Sequence, residues 1–268
     1  KDMAEKLIAE SDLIMALDFN ELHRIEGMAV PVADAKAKKV LVDHHMNPGH
    51  FADVVSSYPN ISSTAEMVFR LICRMGYASD IDAIAATCIY TGMMTDTGCF
   101  TYNSAGAEIY IIISELIKKG INKDLIYQKV FYNFSENRYR LQGHLLSKKM
   151  KIYNEYGLSV MSLSKDEKTD FEFQKGDTEG FVNIPLSIKG VIFSVFFKEE
   201  DDKVKMSFRS VSPLVVNDIA AELFGGGGHA NAAGASSKLS LEETMKVFMD
   251  SLPKYKDRID NALKVIYG

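Results

Sequence analysis

The sequence predicts an α/β protein in which a parallel-sheet domain is joined by a helical linker to a smaller α+β domain. Three observations carry that expectation. In the first half, short apolar runs alternate with helical segments; those runs are too uniformly apolar for a sheet with one wet face; and after residue 148 paired strand-like runs enclose polar turns. Strand–helix alternation builds parallel sheets covered on both faces, whereas paired runs around turns build hairpins.

The elements follow in order. "MAEKLIAES" has helical spacing, and "DLIMALDFN" is a short apolar run ending at Asp18. "ADAKAKK" is helix or loop, and "VLVDHH" is a second strand-like run, ending at Asp43. "SSTAEMVFRLICRMG" is a helix with Ser63 and Glu66 at capping-box spacing and Gly76 at its close. "DIDAIAATCIYTGMMTDTG" is an apolar helix running into a Gly-flanked polar turn that holds Asp96, and "SAGAEIYIIISELIKKG" is another helix. Residues 129–147 lack Pro and read as a polar-faced helix, a semi-rigid linker between domains 1–128 and 148–268. In the second domain "KMKIYNEYGLSVMSLS" gives two strands around 154–157, and "VIFSVFFKEEDDKVKMSFRS" two more around the acidic turn 199–202. "TEGFVNIPLSI" and "VVNDIAAELF" read as helices.

Composition narrows the function classes. A chain of 268 residues can bury two cores, and 47% hydrophobic with 25% charged residues excludes a disordered or fibrous protein. No window reaches the ~18 consecutive apolar residues of a membrane span, and the first residues form a polar helix rather than a signal peptide. Cys73, Cys88 and Cys99 share no CxxC spacing and read as buried free thiols in a reducing cytoplasm. A net charge of −5 argues against long duplex nucleic acid, which needs many phosphate contacts. A short phosphorylated ligand in a local basic pocket remains compatible with it.

Two constellations carry chemistry. Asp18 and Asp43 each follow an apolar run, and ligands of doubly wound sheets bind beyond the carboxyl ends of the strands, so these acids can converge. His44 and His45 follow directly, and Asp96 sits among Thr95, Thr97 and Gly98. Carboxylates and imidazoles without a thiolate form a mixed O/N donor set suited to Mn²⁺ or Mg²⁺. Two such ions about 3.5–4 Å apart can bind both the attacking and the leaving oxygen of a phosphoryl centre. The second stretch is "ELFGGGGHANAAGAS". Four glycines allow backbone N–H groups to point inward as an anion nest, "HANAAGA" can begin a short helix facing the same anion, and His229 can donate to a phosphate oxygen. Arg209, ending "KVKMSFR", suits a bidentate phosphate clamp. His23, Arg24, His50 and His144 read as surface or packing residues, Ser62 and Ser63 as helix caps, and "VFYNF" and "VIFSVFF" as core.

Taken together, "VDHH", "TGMMTDTG" and "GGGGHANAAG" resemble the DHH/DHHA1 phosphoesterase superfamily. More closely they are similar to its nanoRNase (oligoribonuclease)/pAp-phosphatase branch, whose members cut very short RNA oligonucleotides and remove the 3′-phosphate of 3′-phosphoadenosine 5′-phosphate. The likeness covers essentially the whole chain, and it implies a DHH domain followed by a substrate-binding DHHA1 domain. It further implies a cytoplasmic enzyme with two Mn²⁺ ions (Mg²⁺ as the alternative) acting on short RNA oligonucleotides or nucleotide phosphates. Neither a long duplex nor a membrane is implied, and a homodimer is allowed. In that likeness Asp18 bridges the two ions and His44 and Asp96 are ligands of the second. Asp43 and His45 complete the catalytic motif, His45 as a support or phosphate contact. Arg209 and His229 hold the terminal phosphate or nucleotide, with Gly226 and Gly227 in the cradle, in a cleft between domains whose opening the linker sets. The family's first motif, a strand-end His followed by D-x-D, does not occur before Asp18, which leads to the expectation of further residues upstream of Lys1 or of a degenerate member. Readings that stay open are a linear or cyclic dinucleotide phosphodiesterase, an exopolyphosphatase, and a catalytically silent nucleotide-binding module.

Overall fold

The structure, a computed structural model, describes residues 2–268 and divides into two compact units, Lys1–Asn133 and Phe134–Gly268. The first unit runs α1 (Asp2–Glu10), β1 (Leu13–Leu17), a 3-10 segment (Leu22–Met28), α2 (Ala29–Asp34), β2 (Lys38–Asp43), β3 (Val54–Ser57) and α3 (Thr64–Arg74). It continues through α4 (Ala83–Asp96), α5 (Ala107–Lys118) and α6 (Lys123–Phe131). The strands form a parallel sheet in the order β1–β2–β3, with Leu17 opposite Val42 and Asp43 opposite Ser57. The strand-like runs of the sequence therefore end at one edge of one sheet, as parallel pairing requires. The helical core of this unit gathers Ile89, Tyr90, Met93, Met94, Ile112 and Leu116.

Burial along the sheet is uneven. Leu41, Val42 and Asp43 of β2 are fully buried, but Leu13, Met15 and Leu17 of β1 are 53%, 46% and 42% exposed. Alternate residues of a strand share a face, so the uniformly buried strand expected from sequence is found at β2, while one apolar face of β1 stays open among the described residues.

The second unit contains α7 (Glu136–His144), a π turn (Leu145–Lys149), β4 (Lys151–Tyr153), β5 (Leu158–Leu163), α8 (Lys165–Asp170) and a 3-10 segment (Phe181–Ser187). It closes with β6 (Phe193–Glu199), β7 (Val204–Ser210), α9 (Asn217–Phe224), β8 (Gly227–His229), β9 (Ala232–Ser237), α10 (Leu241–Ser251) and α11 (Lys256–Tyr267). The sheet order is β4–β5–β6–β7–β9–β8; β5 and β6 pair in parallel and the other neighbours antiparallel. One face packs Val160, Phe193, Val195, Phe197, Met206 and Phe208 against Ile219, Phe248 and Ile259 of α9–α11. Part of the other face is covered by a smaller cluster that includes Leu145, Met161, Leu163, Phe181 and Phe196.

Four local expectations need correction. Residues 129–147 are not one helix: α6 ends at Phe131, and Ser135 starts α7 by accepting a 3.1 Å hydrogen bond from the Arg138 N–H. A side chain able to cap favours a new helix start over continuation. "TEGFVNIPLSI" forms a 3-10 segment, because Pro185 lacks the N–H that a longer α-helix would use. "HANAAGA" is strand rather than helix. Cys88 is exposed and Cys73 and Cys99 are half-buried, so the thiols are free but not buried.

Candidate active site

The site begins where β1 and β2 end. Asp18 lies one residue beyond β1 with φ 67°, in the left-handed region that Asp tolerates better than most residues. Its N–H donates to Val42 O at 3.2 Å, and its Oδ1 accepts from the Thr64 hydroxyl at 2.9 Å. The loop after Asp18 is tied to the loop after His45: Asn20 Nδ2 donates to Met46 O at 2.8 Å, and Gly49 N–H to Asn20 O at 2.7 Å. A Cβ at Gly49 would fall 2.9 Å from the backbone oxygen of Asn20, so this approach needs glycine.

Asp43 closes β2 and is completely buried. One carboxylate oxygen accepts from His45 Nδ1 at 2.7 Å; the other, Oδ2, meets no hydrogen-bond partner among the described residues. Burial alone would push the Asp43 carboxyl up, but the hydrogen bond and charge of His45 outweigh it and hold the group below the usual carboxylate range. His44 is only 4% exposed, and its Nδ1 lies 3.1 Å from Ile61 O. A carbonyl can only accept, so Nδ1 carries the proton and Nε2 turns to Asp96 Oδ2 at 3.2 Å and Asp18 Oδ1 at 3.7 Å.

Asp96 is the last residue of α4, not part of the turn that its Thr and Gly neighbours suggest. The helix brings it in by close packing on α3: a Cβ on Gly92 would sit 2.7 Å from Ala65 Cβ. Desolvation pushes the Asp96 carboxyl above its ordinary value, with His44 opposing and Asp18 adding to the rise.

Ligand atoms of Asp18, His44 and Asp96 lie within 4.8 Å of one another, and so do those of Asp18, Asp43 and His45. Asp18 belongs to both sets, and the buried, unpartnered Asp43 Oδ2 adds a donor with no other use. These oxygens and imidazole nitrogens fit a hard or borderline divalent cation. The five residues that the sequence singled out in this half are therefore brought together. Thr64, Ile61 and Gly92, which position them, were not singled out, because each acts through a tertiary contact that spacing does not encode.

The second unit places Arg209 near the end of β7, half-buried, with Nη1 donating to Phe208 O at 2.9 Å. Arg209 stands opposite Ala232, and Ala232 opposite His229. Directly paired residues project on one face, so Arg209 and His229 share a face two strands apart, about 10 Å at ordinary strand spacing. The neighbouring row on that face is Ser207, Gly234 and Gly227, nearly bare of side chains.

The glycine run does not form the expected nest. Gly225 ends α9 in the left-handed region, and the N–H groups of Gly225 and Gly226 donate to Ala221 O and Ala220 O. A Cβ at Gly226 would lie 2.3 Å from Gly234 O, and one at Gly228 2.5 Å from Ala232 O, whereas Gly227 opens onto free space. Glycine here lets β8 run hard against β9, and Gly227 with Gly234 offers an unobstructed floor beside Arg209 and His229.

Both halves match family models: the DHH family N-terminal domain over residues 1–123 and the DHHA1 domain over residues 152–265. These matches define the class, a phosphoesterase, and the strand-end acids and imidazoles of the first unit form a cluster that could hold a metal ion. The chain belongs to the DHH family, with a DHHA1 domain as its second half. It is 30% identical over 252 residues to the bifunctional oligoribonuclease and PAP phosphatase NrnA of Thermus thermophilus, covering 94% of this chain and 73% of that protein. To the NrnA of Bacillus subtilis it is 28% identical over 242 residues, covering 90% of this chain and 74% of the relative. The crystal structure of an exopolyphosphatase-related protein from Bacteroides fragilis superposes with a TM-score of 0.92 at 54% identity, over 97% of this chain and 76% of that one. No described helix is long and apolar enough to cross a membrane.

Proposed function

We propose that this protein is a cytoplasmic phosphohydrolase that degrades very short RNA oligonucleotides from the 3′ end and removes the 3′-phosphate of 3′-phosphoadenosine 5′-phosphate. The observation that carries the reading is the convergence of Asp18, His44 and Asp96 within 4.8 Å, from a strand end, a second strand end and a helix end. Those three residues would hold a divalent ion, Mn²⁺ by preference and Mg²⁺ as the alternative, and Asp18 would be shared with a second ion. Such ions supply Lewis acidity toward a phosphoryl oxygen and acidify a water to near neutrality.

The remaining work falls to the chain's own groups. His44 presents Nε2 because Ile61 fixes its proton on Nδ1. Asp43 orients His45 in the same way, leaving its Nε2 as the atom that exchanges a proton or hydrogen bond with the phosphate. Arg209 and His229 hold the terminal phosphate, Arg209 through the paired N–H donors of its guanidinium. The Gly227–Gly234 floor admits a sugar or base alongside them, and Gly226 sets the close strand pairing that shapes it. Similarity to two NrnA enzymes supports this substrate class over polyphosphate, which carries no base to place.

A product assay on the intact protein tests the reading. With Mn²⁺, 3′-phosphoadenosine 5′-phosphate should release inorganic phosphate and a labelled RNA dinucleotide should release mononucleotides. Hydrolysis of cyclic dinucleotides or polyphosphate alone, with both of those substrates untouched, would overturn the substrate assignment.

A further inference from the structure

The turn that opens α3, "SSTAE", holds side chains that the hydrolytic chemistry itself does not use, yet they are among the most buried polar groups of the chain. Ser62, Thr64 and Glu66 are each 4% exposed and Ser63 1%. Only Ser63 is occupied with ordinary capping, its hydroxyl accepting from the Glu66 N–H at 3.1 Å. The reciprocal half of a capping box is missing: the Glu66 carboxylate goes elsewhere.

Where it goes links it to the metal cluster. Glu66 Oε2 accepts from the Ser62 hydroxyl at 2.5 Å and from the Ser62 N–H at 3.3 Å. Oε1 accepts from Arg70 Nε at 2.8 Å and Nη2 at 2.5 Å, so the carboxylate is pinned on its other side. The Ser62 N–H belongs to the same peptide group as Ile61 O, and that oxygen accepts the Nδ1 proton of His44. A peptide group is planar and rigid. Glu66 holds one edge of the plane and His44 hangs from the other, so the carboxylate sets the tilt of the carbonyl that orients the imidazole. Two residues earlier, Thr64 donates its hydroxyl to Asp18 Oδ1 at 2.9 Å, which fixes a carboxylate that is otherwise 57% exposed at a left-handed position.

We propose that Thr64 and Glu66 are positioning residues of the metal centre: Thr64 orients the Asp18 carboxylate directly, and Glu66 orients His44 through the Ile61–Ser62 peptide. This inference rests on the reading that Asp18, His44 and Asp96 bind a divalent ion. Outer partners of metal ligands typically change metal affinity by about 10–100-fold when removed. One short turn thus serves two ligands that come from two different strands.

The test uses the intact protein and Mn²⁺ alone as the probe, titrated calorimetrically, together with ¹⁵N-histidine NMR on metal-free protein. Thr64→Val should weaken Mn²⁺ binding by about tenfold or more, leave the His44 nitrogen shifts in place, and be rescued by Thr64→Ser. Glu66→Gln should weaken binding and also move the His44 signals away from a pure Nδ1–H tautomer. If Glu66→Gln fails to fold, Ser62→Ala, which removes the hydroxyl that holds the same carboxylate, takes its place with the same two readouts. Wild-type affinity in Thr64→Val overturns the Thr64 role, and wild-type affinity with unmoved His44 signals in Glu66→Gln overturns the Glu66 role, either result leaving the metal reading intact. Wild-type protein that binds Mn²⁺ no better than Asp96→Ala removes the metal reading and this inference with it.

Discussion

Gly92→Ala tests how Asp96 reaches the cluster. The new methyl would lie 2.7 Å from Ala65 Cβ, whereas ordinary contact begins near 3.4 Å, so α3 and α4 must separate by about 0.7 Å. Overpacking of this kind costs about 1–3 kcal/mol, and the gain in helix propensity returns about 1 kcal/mol, leaving a net destabilisation of up to about 2 kcal/mol. Asp96 lies one helical turn beyond Gly92 on the same face, so it moves with α4. A misplacement of about 1 Å at a reacting centre can cost on the order of 10²-fold in rate. Denaturant unfolding, Mn²⁺ calorimetry and turnover on a labelled dinucleotide should therefore report a small stability loss beside a large functional one. Gly143→Ala in α7 is the control, because a Cβ there meets nothing within 4 Å; it should stabilise slightly, by about 0.4–1 kcal/mol. If Gly92→Ala binds Mn²⁺ and turns over like wild type, the α3–α4 contact does not set the position of Asp96.

Asp96→Ala should abolish Mn²⁺-dependent turnover while leaving the thermal transition of the second unit unchanged; full activity in that variant would sink the site assignment. Arg209→Ala removes a charge-assisted contact worth about 1.5–3 kcal/mol and should raise the substrate dissociation constant tenfold or more, read by competition with AMP. A variant that loses turnover at unchanged affinity would place Arg209 outside phosphate binding. Glu167 predicts an acid-sensitive second unit. Its burial opposes ionisation, but the Ser164 N–H at 2.9 Å, His144 at 2.8 Å, Lys149 at 2.9 Å and the Ser164 hydroxyl at 3.0 Å lower its pKa from 4.5 to about 2. A depressed carboxyl stabilises fully above its unfolded pKa and ceases to do so as pH falls through the folded one. The contribution, up to about 3 kcal/mol, should be present above pH 4.5 and vanish toward pH 2. The stability gap between wild type and Glu167→Gln, followed by urea unfolding, should close across that window; a constant gap refutes the linkage.

How much of this was legible in the sequence depends on the range over which each residue acts. The β1–β2 pair, helices α1, α3, α4, α5 and α9, and the two β-hairpin-like pairs of the second unit follow from periodicity, which is local; β3, α10 and α11 were not read from it. Asp18 and Asp43 were readable as site residues because a strand end in a parallel sheet has a known edge, and His44 and His45 came along by adjacency. Asp96 was readable as an acid near Gly and Thr, but its place as the final helical residue depends on Gly92 fitting against Ala65, a contact between two helices. Ser62 and Ser63 look alike in sequence; one caps α3 and the other hands a carboxylate to a peptide that faces His44.

The glycine run shows why a strong local signal can fit two different backbone arrangements. Four glycines in a row satisfy the requirement for an anion nest, but they equally satisfy the requirement for two strands packed closer than any side chain allows. The choice between the two lies in where the N–H groups go. Those of Gly225 and Gly226 close the end of α9, and β8 then pairs with β9. What remains for a ligand is a strand face on which Arg209 and His229 stand in one row beside bare backbone. On such a face the charge comes from side chains and the glycine contributes only room. A bulky residue at Gly227, where a Cβ meets open space, should thus leave the fold intact and obstruct the substrate, whereas Gly226→Ala should disturb the sheet itself.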